Sequence, residues 1–304
     1  MKVLVIGSEG NIGAPLVKYL KSKGYEVLES DIIPGNREHY LMADINHPVD
    51  LMEAFDWRPD VVILLSAMVS RVTCEQASGL AISTNLGGIN NILQLCKRAN
   101  AFLVFFSTSE VYGPNCNPMD ESDLNLQPNN RYGLSKLLGE QLVKYEAETY
   151  GLQAVTLRPF MMYDENETLG EHRSAMIRFS TLLSLGRSIE VHDGSARGWL
   201  HVSDAVQLIE AAINVKEYTI INIGHPDIVP ISILAEKIRS NLGAPSELVK
   251  SVKLPKRMTL IKRPLLEKQK EILGILPKVS LEEGIGLVCN RIRARIKSEN
   301  YDLS

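Results

Sequence analysis

The sequence has few cysteines, little net charge and no long apolar run, and each shortage removes a class of protein. Its four cysteines are Cys74, Cys96, Cys116 and Cys289, spread over 304 residues. None stands in CxxC or other metal-ligand spacing, so the pattern gives no zinc site and no metal is expected. A chain of this length does not need disulfides, and the expected state is free buried thiols in a reducing compartment. Lys and Arg number 33 against 36 Asp and Glu, a net charge of −3. That balance gives no global sign of nucleic-acid or membrane-surface binding. No apolar stretch approaches the ~20 residues of a membrane span. Residues Met1 to Ile6 read directly as a strand, so no signal peptide is expected and the expected location is the cytoplasm. Repeats and low-complexity segments are also missing. What is present is ordinary globular material: 45% of residues are hydrophobic and 23% charged. Such a chain can bury a full core in one large or two modest domains.

Lys2–Ile6 is a β-branched run ending at Gly7, and Leu16, Val17 and Leu20 then recur at helical spacing. Tyr25–Glu29 reads as a second strand. Asp60–Ser66 and Ala101–Ser107 are apolar without alternation, as in strands buried on both faces of a parallel sheet. A helix is expected over Ala81–Arg98 and another over Tyr132–Tyr150, before a strand at Gln153–Leu157. Strands alternating with helices define a doubly wound α/β sheet. After about residue 165 the alternation weakens, with polar loops at Asp164–Arg173 and Leu254–Lys268. A last helix opens at Ser280, where Ser280 and Glu283 form a capping-box pair. Its basic end (Arg291, Arg293, Arg295, Lys297) reads as a solvated helix terminus facing the negative pole of the dipole.

Gly7, Gly10 and Gly13 lie between the first strand and the first helix, with Asn11 and Ile12 inside the loop. A phosphate reaches a helix N-terminus closely only where side chains are absent. Asp31, followed by Ile32, ends the second strand 18 residues after Gly13. A carboxylate there accepts from both ribose hydroxyls of an adenosine and repels a 2′-phosphate, favouring NAD over NADP. Tyr132 and Lys136 are four apart at the start of a helix and share one face. A lysine one turn from a phenol can lower its pKa, so that tyrosinate acts as a base. Thr108, Ser109 and Glu110 follow a buried strand, where an open α/β sheet forms its ligand crevice. Thr108 is placed to orient the hydroxyl that Tyr132 deprotonates.

These pieces, with Asp44-Ile45, Leu65-Ser66-Ala67, Asn85, Leu157–Phe160, Arg197–Asp204 and Arg263-Pro264, resemble the extended short-chain dehydrogenases of the NAD-dependent epimerase/dehydratase family. The resemblance spans nearly the whole chain. It implies a Rossmann-type domain over residues 1–165, carrying Thr108, Tyr132 and Lys136. Residues 166–304 would mainly form a smaller substrate-binding α/β lobe, with some segments returning to the first domain. It implies NAD contacts from Gly7, Gly10, Asn11, Ile12, Gly13, Asp31, Ile32, Asp44, Ile45, Leu65, Ser66, Ala67, Asn85, Tyr132, Lys136 and Phe160. Substrate contacts would come from Met161, Arg197 and Arg263, the two arginines holding a nucleotide diphosphate. A homodimer through the helices beginning at Ala81 and Tyr132 is also implied.

The implied chemistry begins with hydride loss from C4 of a nucleotide sugar, and the fate of the resulting 4-keto sugar decides the enzyme. A 4-epimerase is the first expectation. A 4,6-dehydratase or decarboxylase using Ser109 and Glu110 is the alternative, and a non-catalytic NAD-binding protein a distant third. The chain departs from the family pattern at Met161, where an asparagine is usual, and at Val69, where Lys or Gln is usual.

Overall fold

The computed structural model describes residues 1–114, 118–168, 174–253 and 259–299. Cys116 and parts of the two polar loops lie outside them. Seven parallel strands form the central sheet: β1 (Lys2–Ile6), β2 (Glu26–Asp31), β3 (Tyr40–Met42), β4 (Val61–Leu64), β5 (Phe102–Phe106), β6 (Ala154–Pro159) and β7 (Ile220–Ile223). Their order is β7-β6-β5-β4-β1-β2-β3. The order reverses between β1 and β4, and the crevice of such a sheet opens outside the strand ends at that point.

The apolar runs account for this arrangement, because alternate residues feed opposite cores. Val3, Val5, Ile63 and Val104 enter one core with Leu16 and Leu20 of the Gly13–Ser22 helix and Leu208 of the Val202–Ala212 helix. Leu4, Ile6, Val62 and Leu103 enter the other, against the Pro48–Asp56 and Ile89–Ala99 helices. Each fully buried aliphatic side chain contributes roughly 1.5–3 kcal/mol, against about 1 for a helix cap. Sheet packing therefore dominates local propensity.

One helix differs from the sequence reading, and one returning strand is located only by the structure. The single helix expected over residues 81–98 is broken into Ser78–Ile82, a wide π-helical turn at Ser83–Gly88, and Ile89–Ala99. Gly88 belongs to that turn, and a Cβ there would lie 2.6 Å from Ile45. The strand Ile220–Ile223 returns from the C-terminal part to pair with β6, which no local pattern announced. Beyond it, the helices Ala175–Ser184, Ile231–Leu242 and Leu281–Glu299 share a separate core with the strands Ile189–His192 and Val249–Val252. Ser280 Oγ accepts from the Glu283 amide at 3.2 Å, as the capping motif requires. Part of the basic helix end is bound to the fold. Arg293 donates to the Leu242 carbonyl at 2.7 Å and Arg295 to that of Glu167 at 3.0 Å. Cys74, Cys96 and Cys289 are free and buried.

Candidate active site

The glycine loop is a cradle that side chains would fill. Gly7 has φ +95°, and a Cβ on Gly13 would lie 2.0 Å from the Gly7 carbonyl oxygen. The helix begins at Gly13; Ala14 and Leu16 already donate to the Gly10 and Ile12 carbonyls and Pro15 has no N–H, so a phosphate would be met by the glycine loop's own backbone and the helix dipole. Asp31 Oδ2 accepts from the Glu9 amide at 2.9 Å and Oδ1 from the Ile33 amide at 3.3 Å. The carboxylate thus stands fixed beside the loop. Arg37, a nearby cation that could have welcomed a 2′-phosphate, is already paired with Glu9 and with buried Glu29. These residues fit a dinucleotide without that phosphate.

The other expected cofactor residues divide. Asn11, Ile12 and Phe160 line a cleft of about 600 Å³, and Leu65 and Ser66 follow β4 beside Gly7. Ile32 is exposed, and Ile45 is buried in the core. Asp44 accepts from the amide and side chain of Asn46 and borders a separate groove. Asn85 is 1% exposed and already engaged: it accepts from the Met68 amide at 2.8 Å and donates to the Met68 carbonyl and to Ser135 Oγ. Its polar atoms hold the loop after β4 rather than facing outward.

Thr108, Ser109, Glu110 and Tyr132 line the same cleft. They meet because a short 3-10 turn follows β5 and packs on the Arg131–Tyr150 helix. Asn130 caps that helix, accepting from the Gly133 amide at 2.9 Å. A Cβ on Gly133 would strike the Glu110 carbonyl at 2.8 Å, so this approach requires glycine. Tyr132 shares the cleft with Thr108, whose hydroxyl is near enough to act on the phenol. Burial pushes the Tyr132 hydroxyl well above its ordinary pKa, the Thr108 hydroxyl draws it back, and the Glu110 charge raises it further. The direct lowering expected from Lys136 is not seen. Lys136 is buried and donates to the Phe106 carbonyl at 2.8 Å instead. Burial brings its own pKa down to about 8, with Glu140 opposing.

Glu110 is the charge centre of the cleft. One oxygen is ion-paired with Lys262, and the other accepts from Asn130 Nδ2 at 2.9 Å and lies 3.9 Å from Arg71 Nε. Burial pushes its pKa up, but Lys262, Arg71 and the Asn130 bond outweigh that and hold it at about 2. Lys262 also donates to Ser109 Oγ at 3.3 Å. Arg197, 7% exposed, lines the cleft and donates to the carbonyls of Thr259 and Leu260. Burial brings its pKa down to about 10, with Glu110 opposing.

Arg263 stands apart from this cleft. It is exposed and borders a different groove with Asp227 and Glu267. Lys262, its neighbour, enters the cleft because Ile261–Lys262 pairs in parallel with Ala196–Arg197, placing Lys262 beside Arg197. Sequence reasoning also missed Arg71, Arg178, Glu190 and His192, which line the cleft with Met161 and Val69. Asp164, Glu165 and His201 bring metal-ligating atoms within 4.8 Å of one another. That cluster is internally bonded: His201 lies 2.9 Å from Glu165 and 2.7 Å from Ser203, and Asp164 accepts from Asn166.

Fold and cleft define a Rossmann-type enzyme whose site lies at the switch point of a parallel sheet. The chain belongs to the NAD dependent epimerase/dehydratase family, whose model matches residues 3–224. The expectations of an enzyme and of NAD as its cofactor agree with that membership. A Methanocaldococcus jannaschii protein bearing the provisional name UDP-glucose 4-epimerase is 29% identical over 301 residues, covering 95% of this chain and 97% of its own. UDP-glucuronic acid decarboxylase 6 of Arabidopsis thaliana is 29% identical over 310 residues, covering 97% and 90%. The crystal structure of UDP-glucose 4-epimerase with UDP-glucose from Thermotoga maritima superposes with a TM-score of 0.90 at 24% identity, covering 97% of this chain and all of that one. Among the described residues no helix is long and apolar enough to cross a membrane.

Proposed function

We propose that this chain is an NAD-dependent nucleotide-sugar 4-epimerase. The observation that carries the reading is the placement of Thr108 and Tyr132 in one cleft that also holds Asn11 and Ile12 of the glycine loop and the cations Arg197 and Lys262. In this reading the cofactor lies along Gly7–Gly13 and Asp31, and when bound it supplies the hydride acceptor. Arg197 and Lys262 hold the diphosphate, since buried cations favour an anionic ligand. Thr108 orients the 4-hydroxyl and Tyr132 takes its proton. Lys136 holds the nicotinamide ribose.

The state of Glu110 favours epimerisation over dehydration. Loss of water across C5–C6 needs a base for the C5 proton and an acid for the C6 hydroxyl, and Glu110, held anionic through the neutral range, suits the first role and not the second. Ser109 supplies no acidic proton. Epimerisation needs only the Tyr132 proton and hydride return to the opposite face. Decarboxylation is the second reading, supported by the Arabidopsis relative and by Arg71 and Lys262 around Glu110, which suit a sugar carboxylate. Oxidation at C4 would then make a β-keto acid, which loses carbon dioxide to leave an enolate; C5 takes a proton from water before hydride returns to C4.

The test of the base is Tyr132→Phe. Substrate-dependent reduction of bound cofactor, followed at the nicotinamide absorbance, should fall about 10²–10⁴-fold with the fold intact. Unchanged reduction would refute the assignment. We also place a homodimer contact on the outer face of the Arg131–Tyr150 helix, where Leu134, Leu138 and Tyr145 are exposed at helical spacing.

A further inference from the structure

Behind the cleft lies a charge pair that the proposed chemistry does not use. Tyr132, Lys136 and Glu140 stand at successive i, i+4 positions on one face of the Arg131–Tyr150 helix. Each engages a different residue of one short stretch where β5 ends. Tyr132 lies near Thr108, Lys136 donates to the Phe106 carbonyl at 2.8 Å, and Ser107 Oγ donates to Glu140. Glu140 is then clamped from β6: Arg158 Nε donates to one oxygen at 2.9 Å and Nη2 to the other at 2.7 Å. Lys136, Glu140 and Arg158 are 2%, 0% and 1% exposed. The Tyr112 ring lies 4.8 Å from the guanidinium.

A buried ion pair is a poor device for stability alone, because desolvation offsets most of its attraction, and two apolar side chains would hold β6 to the helix as well. What an apolar pair could not supply is a fixed negative charge beside Lys136. We propose that Glu140 and Arg158 are positioning residues: Glu140 keeps Lys136 charged and seated, and Arg158 holds Glu140 while limiting its pull.

The groups around Lys136 agree with this division. On its own helix it meets Tyr132 and Glu140. From the Arg71–Gln76 helix it meets the Cys74 thiol, which burial keeps protonated. From β5 come the Phe106 carbonyl and the Phe105 ring, 5.1 Å away. Arg158 of β6 stands on the far side of Glu140. Glu140 is thus the nearest fixed anion to a lysine whose charge burial opposes.

The test is a titration of the ligand-free protein carrying ¹³Cε-labelled lysine, with the Lys136 resonance identified by its loss in Lys136→Met. Glu140→Gln should move the Lys136 midpoint down by about one pH unit or more, because the attraction is gone and Arg158 remains. Arg158→Gln should move it up, because Glu140 then acts unopposed. The double variant Glu140→Leu with Arg158→Met leaves no buried charge unpaired. It should still fold and should lower the midpoint, because burial then acts without Glu140. Midpoints equal to that of the unaltered protein, or single variants shifted in the same direction, would overturn the proposal. The link to catalysis rests on the proposed function and fails separately. If the midpoints move as stated but the pH profile of cofactor reduction does not track them, the assignment of Lys136 is wrong and the positioning role stands.

Discussion

At the scale of single residues, the cleft is governed by the Glu110–Lys262 pair. The pKa of Glu110 falls from the ordinary 4.5 to about 2 in the folded protein. A depressed carboxylate contributes stability that is complete above its unfolded pKa and is lost as pH falls through its folded one. The contribution is therefore full above about pH 4.5 and fades toward pH 2. Glu110→Gln leaves Lys262 buried beside Arg71 without its counter-charge. The expected cost is about 3 kcal/mol at pH 7, measured by denaturant unfolding, and the gap to the unaltered protein should close as pH falls from 4.5 to 2. A gap independent of pH would mean that the pair does not hold the charge as described. The same pairing decides the chemistry proposed for Glu110: an anion held by Lys262 and Asn130 is a poor proton donor at neutral pH.

At the scale of elements, the loop from β1 into its helix is fixed by close backbone approach. Gly13→Ala places a methyl group 2.0 Å from the Gly7 carbonyl, so the loop must open to admit it. NAD affinity, measured by calorimetry, should fall at least about tenfold, equivalent to about 1.4 kcal/mol. Unchanged affinity would remove the loop from the cofactor site. This element was readable in the sequence because its requirement is local: a strand, glycines three apart, then a helix. The Tyr132–Lys136 spacing was readable for the same reason. Lys262 was not, because its place depends on pairing with Ala196–Arg197, some 65 residues earlier. Adjacent residues of an extended segment point to opposite sides, so Lys262 faces inward and its neighbour Arg263 is exposed. The break at Ser83–Gly88 leaves no mark in the sequence pattern because apolar periodicity continues through a π-helical turn. Only the bonds of Asn85 to Met68 and Ser135 reveal why the turn is there.

At the scale of the whole molecule, the near-zero net charge and the anion-seeking cleft are compatible. A few buried cations and loop amides suffice for a small phosphorylated ligand, and the surface need carry no excess. The sheet explains how residues far apart in sequence reach one cleft: the strand ends on either side of the switch point carry the glycine loop and Thr108, while the C-terminal segments bring Arg197 and Lys262. The strand Ile220–Ile223 joins that C-terminal part to the central sheet. A return of C-terminal segments to the first domain is implied by the family resemblance, but which segment pairs with β6 depends on contacts some 65 residues apart in sequence. The dimer proposal belongs to this scale. Leu134→Glu with Leu138→Glu should convert a dimer to a monomer by light scattering, with little change in secondary structure. A monomer before substitution would contradict it.

The most direct test of the central claim is product analysis. The purified protein, loaded with NAD, is given a panel of nucleotide sugars, and the products are read by mass spectrometry and proton NMR. The account predicts an unchanged mass with a new set of sugar signals for one member of the panel, abolished by Tyr132→Phe. A product lighter by the mass of water or of carbon dioxide would contradict epimerisation.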